Sequence, residues 1–290
     1  MGKKIGFSKG LKLQAKTNLA EKNKSLKLAV LFIFIITQVV YAISFCFSYF
    51  TVMKNGESLV TNDQLNSKFW IYYGVSLFLS LFIQAFYAAS NFSLIKSVNA
   101  TLKENQSQTF KSFFLNYNSW FKAFRAYIWK IFFIMLWEIL GILITFGILA
   151  LFFGLEKICH FSLNETAEIV LTFCLLYGIM IPLLLIKSIQ YSMQFIILSD
   201  VNIGVCKAMD LSVALMKGYK WKYFCFVLSF IGHWILQFIT FGIYGIWFIP
   251  YYCAAKINFY NYIKSNPRDK LTKKQNKLIA EYGTFTEQGK

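Results

Sequence analysis

The chain has 290 residues, of which 57% are hydrophobic, 19% aromatic and only 15% charged, whereas a soluble domain carries about 25% charged residues. That balance excludes an ordinary water-soluble globular domain. Lys and Arg outnumber Asp and Glu by 30 to 13, for a net charge of +17, but the cations lie between long apolar runs and form no nucleic-acid reading module, so they point to a membrane surface and to no nucleic-acid partner.

Residues 1–27 read as a basic cytoplasmic segment. Within it, residues 8–20 alternate Leu11, Leu13, Ala15 and Leu19 with Lys9, Lys12 and Lys16. This is the pattern of a short helix lying in the headgroup layer, apolar face toward the acyl chains and lysines toward phosphates. The first apolar run, 28–50, is long enough to cross about 30 Å of hydrocarbon. No small-residue cleavage pattern comes after it, so it is expected to remain as an anchor. Further runs at 69–95, 126–153, 169–198, 223–241 and 243–263 bring the expected total to six in a membrane domain of residues 28–263. The last two are almost contiguous and predict a tight hairpin turning at Thr240, Phe241 and Gly242. Two more amphipathic elbows are expected at 109–121, with Phe110, Phe113, Phe114, Tyr117 and Phe121, and at 205–216, with Ala208, Met209, Ser212, Leu215 and Met216. Residues 264–290, with seven basic and three acidic residues and Pro267, read as a loosely structured cytoplasmic tail drawn to anionic headgroups.

Orientation comes from the loops. The N-terminal segment holds eight basic residues, 96–125 five, 199–222 four and 264–290 seven, together 24 of the 30; the alternate loops hold only Lys54, Lys68 and Lys157. The positive-inside rule then places both termini in the cytoplasm and requires an even number of spans. The expected fold is all-α: a polytopic protein with six transmembrane helices as three hairpins and short amphipathic cytoplasmic elbow helices. The string Ile-Thr-Phe-Gly-Ile occurs at 144–148 and again at 239–243, which suggests a threefold repeat of elbow plus hairpin.

Few residues are equipped for chemistry. Glu138 is the one acidic residue deep in an apolar run, and an ionised carboxylate there needs a partner or water. The intramembrane candidates are Lys187, Lys256, His233, Gln84, Asn91, Gln190 and Gln237. Lys187 and Lys256 lie near the cytoplasmic ends of their runs, where the side chains can snorkel. Glu138, Lys187, Gln190, His233 and Gln237 form the candidate polar membrane site, either as a packed hydrogen-bonded cluster or as a path for a solute, ion or proton. Four of the six cysteines, Cys46, Cys174, Cys225 and Cys253, fall in apolar runs. No Cys-x-x-Cys spacing, nucleophile elbow, phosphate-binding glycine loop or His-Glu-x-x-His occurs. No catalytic residue, metal site or cofactor is expected.

The last third carries a more specific pattern. Pro182, Lys187 and Tyr191 are succeeded by Ser212, the run Met216-Lys217-Gly218-Tyr219-Lys220, Gly232, Thr240, Gly242 and Pro250-Tyr251. This resembles the signature of a bacterial integral-membrane family, domain of unknown function 975. The chain departs from it at Leu183, where glycine is common, and at His233, where tryptophan is common. The resemblance implies a helical fold and a bacterial cytoplasmic-membrane location, and it implies no reaction. The motif residues are expected to be structural, with Gly242 and Gly245 shaping the hairpin or admitting a close helix, and with Pro182 and Pro250 each freeing a carbonyl.

Two functions stand as expectations. The first is a non-enzymatic membrane protein that engages anionic lipid headgroups at the cytoplasmic face, or another membrane polypeptide or peptide, in envelope maintenance or protection from membrane-active peptides. The alternative is a small-solute or ion transporter or channel with a polar site at the midplane.

Overall fold

The computed structural model describes residues 6–19, 24–55, 67–104, 113, 117–159, 164–201 and 203–266. Among them there is no strand. The helices are α1 (Phe7–Leu19), α2 (Lys24–Asn55), α3 (Ser67–Glu104), α4 (Tyr117–Cys159), α5 (Glu165–Gln190), α6 (Gln194–Asp200), α7 (Val205–Met216), α8 (Lys220–Leu228), α9 (Ile231–Ile239) and α10 (Gly245–Ser265). By length and composition four stretches can cross a membrane: Lys24–Cys46, Gly74–Lys103, Ser119–Leu155 and Thr166–Asp200. A fifth is available if α8 and α9 serve together as one broken span. These apolar helices are those of a multi-pass membrane protein. The expected sixth span, α10, is long enough but carries Lys256, Asn258, Asn261 and Lys264, and it is not apolar enough to join the others.

The chain divides into two compact units. Residues 1–124 and 228–262 make one, and residues 125–227 and 263–290 the other.

In the first unit α1 is fixed by its apolar side. Leu11, Ala15 and Leu19 are buried, the Phe7 ring stands 5.9 Å from Phe259 and 4.6 Å from Tyr262 of α10, and Asn258 Nδ2 donates to the Leu11 carbonyl at 3.5 Å. This corrects the expected disposition of the first elbow, because the side meant for acyl chains is spent on protein. Burial of about 25 cal/mol per Å² of apolar surface offsets the cost of docking. The third elbow forms as α7 with the expected limits, and it too is buried along its apolar side, at Val205, Ala208, Met209, Leu211, Leu215 and Met216. The expected second elbow lies mostly outside the described residues, and 117–121 open α4 instead of forming a helix of their own. The tail beyond Asn266 also lies outside them.

Two apolar runs are broken where the sequence reads as continuous. The fourth run parts at Tyr191, Ser192 and Met193 into α5 and α6, whereas α5 continues through Pro182. Asn164 caps α5, its Oδ1 accepting from the Ala167 N–H at 3.2 Å. Ser212 of α7 closes the break: its hydroxyl donates to the Gln190 carbonyl at 2.6 Å and accepts from the Met193 N–H at 3.2 Å. Gln194 Nε2 donates to the Ala126 carbonyl of α4 at 3.2 Å. In the absence of water each such group needs an internal partner. Farther along, α4 and α5 meet closely at Gly141, where a Cβ would lie 2.7 Å from Met180 Sδ.

The fifth run parts at Ser229 and Phe230. Lys12 Nζ donates to the Ser229 carbonyl and lies 4.0 Å from the centre of the Phe230 ring. Burial there lowers the Lys12 pKa from the ordinary lysine value. At the end of α9 the expected tight turn forms. The Gly242 N–H reaches the Gln237 carbonyl at 2.8 Å and the Phe241 N–H the Phe238 carbonyl at 3.1 Å, the paired bonds of a Schellman motif. Phe241 and Gly242 both have positive φ, 49° and 89°.

Candidate functional site

The residues expected to form a polar membrane site fall in two units. Glu138, Lys187 and Gln190 belong to the second, His233 and Gln237 to the first. Within the second unit Glu138 is half-buried and, among the described residues, makes no ion pair with Lys187. Lys187 instead places its ammonium 3.2 Å from the centre of the Trp137 ring. Gln190 contributes its backbone carbonyl to Ser212. Within the first unit the half-buried His233 ring lies among aromatics, 5.9 Å from Phe230, 5.2 Å from Phe248 and 6.1 Å from both Tyr244 and Tyr251. Gln237 packs its amide over Gly245, Nε2 standing 3.2 Å from where a Cβ would be.

The motif residues hold turns and helix ends. Met216 is fully buried and Lys217 ends α7. Gly218, at φ 81°, turns the chain toward α8. Thr240 Oγ1 accepts from the Tyr244 N–H at 3.1 Å and donates to the Leu236 carbonyl at 2.8 Å. A Cβ on Gly242 would stand 2.9 Å from Phe34 Cε2, so no larger residue fits without displacing that ring. Pro250 is buried within α10, and the Tyr251 ring lies 5.7 Å from Phe230. Pro182 and Gly232 are exposed.

Two features are not apparent from the sequence pattern. Gln194 is fully buried; a glutamine within an apolar run is the one signal of it. The other is an open cleft of about 450 Å³ in the second unit, lined by Arg125, Trp129, Gly204, Val205, Cys206 and Lys207. In the sequence Arg125 stands out only as one of five loop cations. The surface of α1 adds a third arrangement, since Lys9, Leu13 and Lys16 are exposed together at helical spacing.

A family model described as protein of unknown function (DUF975) matches residues 6–267. The chain belongs to this family. The match covers nearly the whole chain, and so extends the resemblance from the last third to every described helix. No curated protein and no solved structure matches the chain. Within this DUF975 protein the signature residues therefore read as parts of a framework: Ser212 closes the α5–α6 break, Gly218 and Gly242 make turns, and Thr240 serves the turn after α9.

Proposed function

We propose that this DUF975 protein is a non-enzymatic protein of the bacterial cytoplasmic membrane that holds anionic lipid headgroups at the cytoplasmic face, in envelope maintenance or protection from membrane-active peptides. The observation that carries the reading is the outer surface of α1. With Leu11, Ala15 and Leu19 committed to protein, the helix still exposes Lys9, Leu13 and Lys16, and Leu13 is 52% exposed. An apolar side chain between two cations on a fixed helix suits the boundary of headgroups and acyl chains. On this reading the chain crosses six times, with α8 and α9 as the fifth span and α10 as a protected sixth. The transport alternative draws no comparable support from Glu138, which makes no ion pair with Lys187 among the described residues.

The test is the lipid carried by the full-length protein out of bilayers mixing phosphatidylglycerol and phosphatidylcholine. Wild type is expected to enrich phosphatidylglycerol, and K9Q/K16Q to lower that enrichment by roughly fivefold per lysine at most. Equal enrichment of the two lipids by the wild type would defeat the reading.

A further inference from the structure

The break between α5 and α6 holds two buried side-chain oxygens, both in the second unit. Gln194 is fully buried, as are Met193, Ile196 and Ile197. Its Nε2 donates to the Ala126 carbonyl at 3.2 Å. Exchanging the two ends of that amide would set oxygen against oxygen, so Oε1 is the atom that faces away from Ala126. Among the described residues neither Gln194 Oε1 nor the buried Ser192 Oγ has a hydrogen-bond partner.

The backbone donors of the break are engaged elsewhere. The Tyr191 N–H reaches the Lys187 carbonyl at 3.1 Å, the Ser192 N–H the Ile189 carbonyl at 3.2 Å and the Gln194 N–H the Tyr191 carbonyl at 3.4 Å. The Met193 N–H reaches Ser212 Oγ, and the single proton of Ser212 goes to the Gln190 carbonyl. An amide oxygen buried without a donor is destabilising, and ordered water is the usual remedy inside proteins. The position supplies it. A helix of 26 residues such as α5 rises about 39 Å, more than about 30 Å of hydrocarbon, so the break stands level with the hydrated headgroups.

We infer that the break binds internal water, which donates to Gln194 Oε1 and hydrogen-bonds the Ser192 hydroxyl. A hard cation takes about six oxygen ligands, whereas a buried water needs only about two to four polar partners. Through Gln194 the water joins the break to α4, as Ser212 joins it to α7. The inference goes beyond the lipid-holding reading and does not rest on it.

The experiment is a crystal structure of the full chain, at a resolution that shows ordered solvent elsewhere in the molecule, together with thermal unfolding of wild type and S192A in one detergent. Ordered water is expected about 2.8 Å from Gln194 Oε1 and within hydrogen-bond reach of Ser192 Oγ. S192A should unfold about 3 °C below wild type, since it removes a bonded hydroxyl. Deleting a buried hydroxyl that has no partner would be neutral or stabilising, so an unchanged or raised midpoint would overturn the site. A direct hydrogen bond between Ser192 and Gln194 with no solvent beside them would overturn it as well. A peak ringed by about five or more oxygens at about 2.4 Å would mark a cation and overturn water as the ligand. Should S192A not fold, the crystal structure carries the test, and an interior without solvent at Gln194 would overturn the inference.

Discussion

The pentapeptide Ile-Thr-Phe-Gly-Ile is helical at 144–148 and a turn at 239–243. In both places the threonine hydroxyl donates to the carbonyl four residues back, Thr145 to Gly141 at 2.9 Å and Thr240 to Leu236 at 2.8 Å. The glycines differ. Gly147 lies within α4, and a Cβ there would meet nothing within 4 Å, whereas Gly242 is left-handed and pressed against Phe34. The residues C-terminal to each copy differ as well: Ile148 leads into Leu149, Ala150 and Leu151, all compatible with helix, but Ile243 leads to Tyr244 and Gly245, and Gly245 is packed over by Gln237 and Ile249. An apolar pentapeptide thus takes its conformation from its successor residues and from the groups that pack on it. The two copies are not conformationally equivalent.

Substitution can break the contrast. The largest effect is expected for Gly242→Ala, which places a Cβ in left-handed backbone and against the Phe34 ring, for a loss of about 3 kcal/mol. Gly147→Ala should instead be neutral or stabilising by up to about 1 kcal/mol. Thermal unfolding in one detergent compares the pair, and equal effects would mean that the turn and the helix do not differ as described. A smaller split is expected between the threonines. Thr240→Val removes a donor and also the acceptor for the Tyr244 N–H, for about 2 kcal/mol, whereas Thr145→Val removes one bond, for about 1 kcal/mol. Hydrogen exchange at Tyr244 makes the distinction finer: it should quicken in Thr240→Val and stay unchanged in Thr145→Val.

The helices and the turn were legible in the sequence because they arise from local apolar patterning. The elbow read at 205–216 has the limits of α7, and the turn at Thr240, Phe241 and Gly242 lies where two apolar runs meet. The breaks were not legible, because their causes are remote in sequence. Ser212 reaches back 22 residues to Gln190, and Lys12 reaches forward 217 residues to Ser229. The same remoteness hid the cleft, whose walls come from Arg125 and Trp129 on α4 and from 204–207 some 75 residues later. Within the second unit, the lack of an ion pair between Glu138 and Lys187 has a related reason. Intramembrane position marks a residue as costly but does not name its partner, and Lys187 found the Trp137 ring in place of a carboxylate.

Whether the clusters holding 24 of the 30 basic residues all face one leaflet, as the lipid-holding reading requires, turns on whether α10 crosses the membrane. A reporter that is active only in the cytoplasm, fused to the N-terminus in one strain, to the C-terminus in another and after residue 242 of a shortened chain in a third, decides this. Six crossings predict activity at both ends and none after residue 242, whereas activity at all three would mean four crossings and would contradict the account. Activity at the N-terminus alone would mean five crossings, with α10 confined to one side, and would contradict the single-leaflet arrangement.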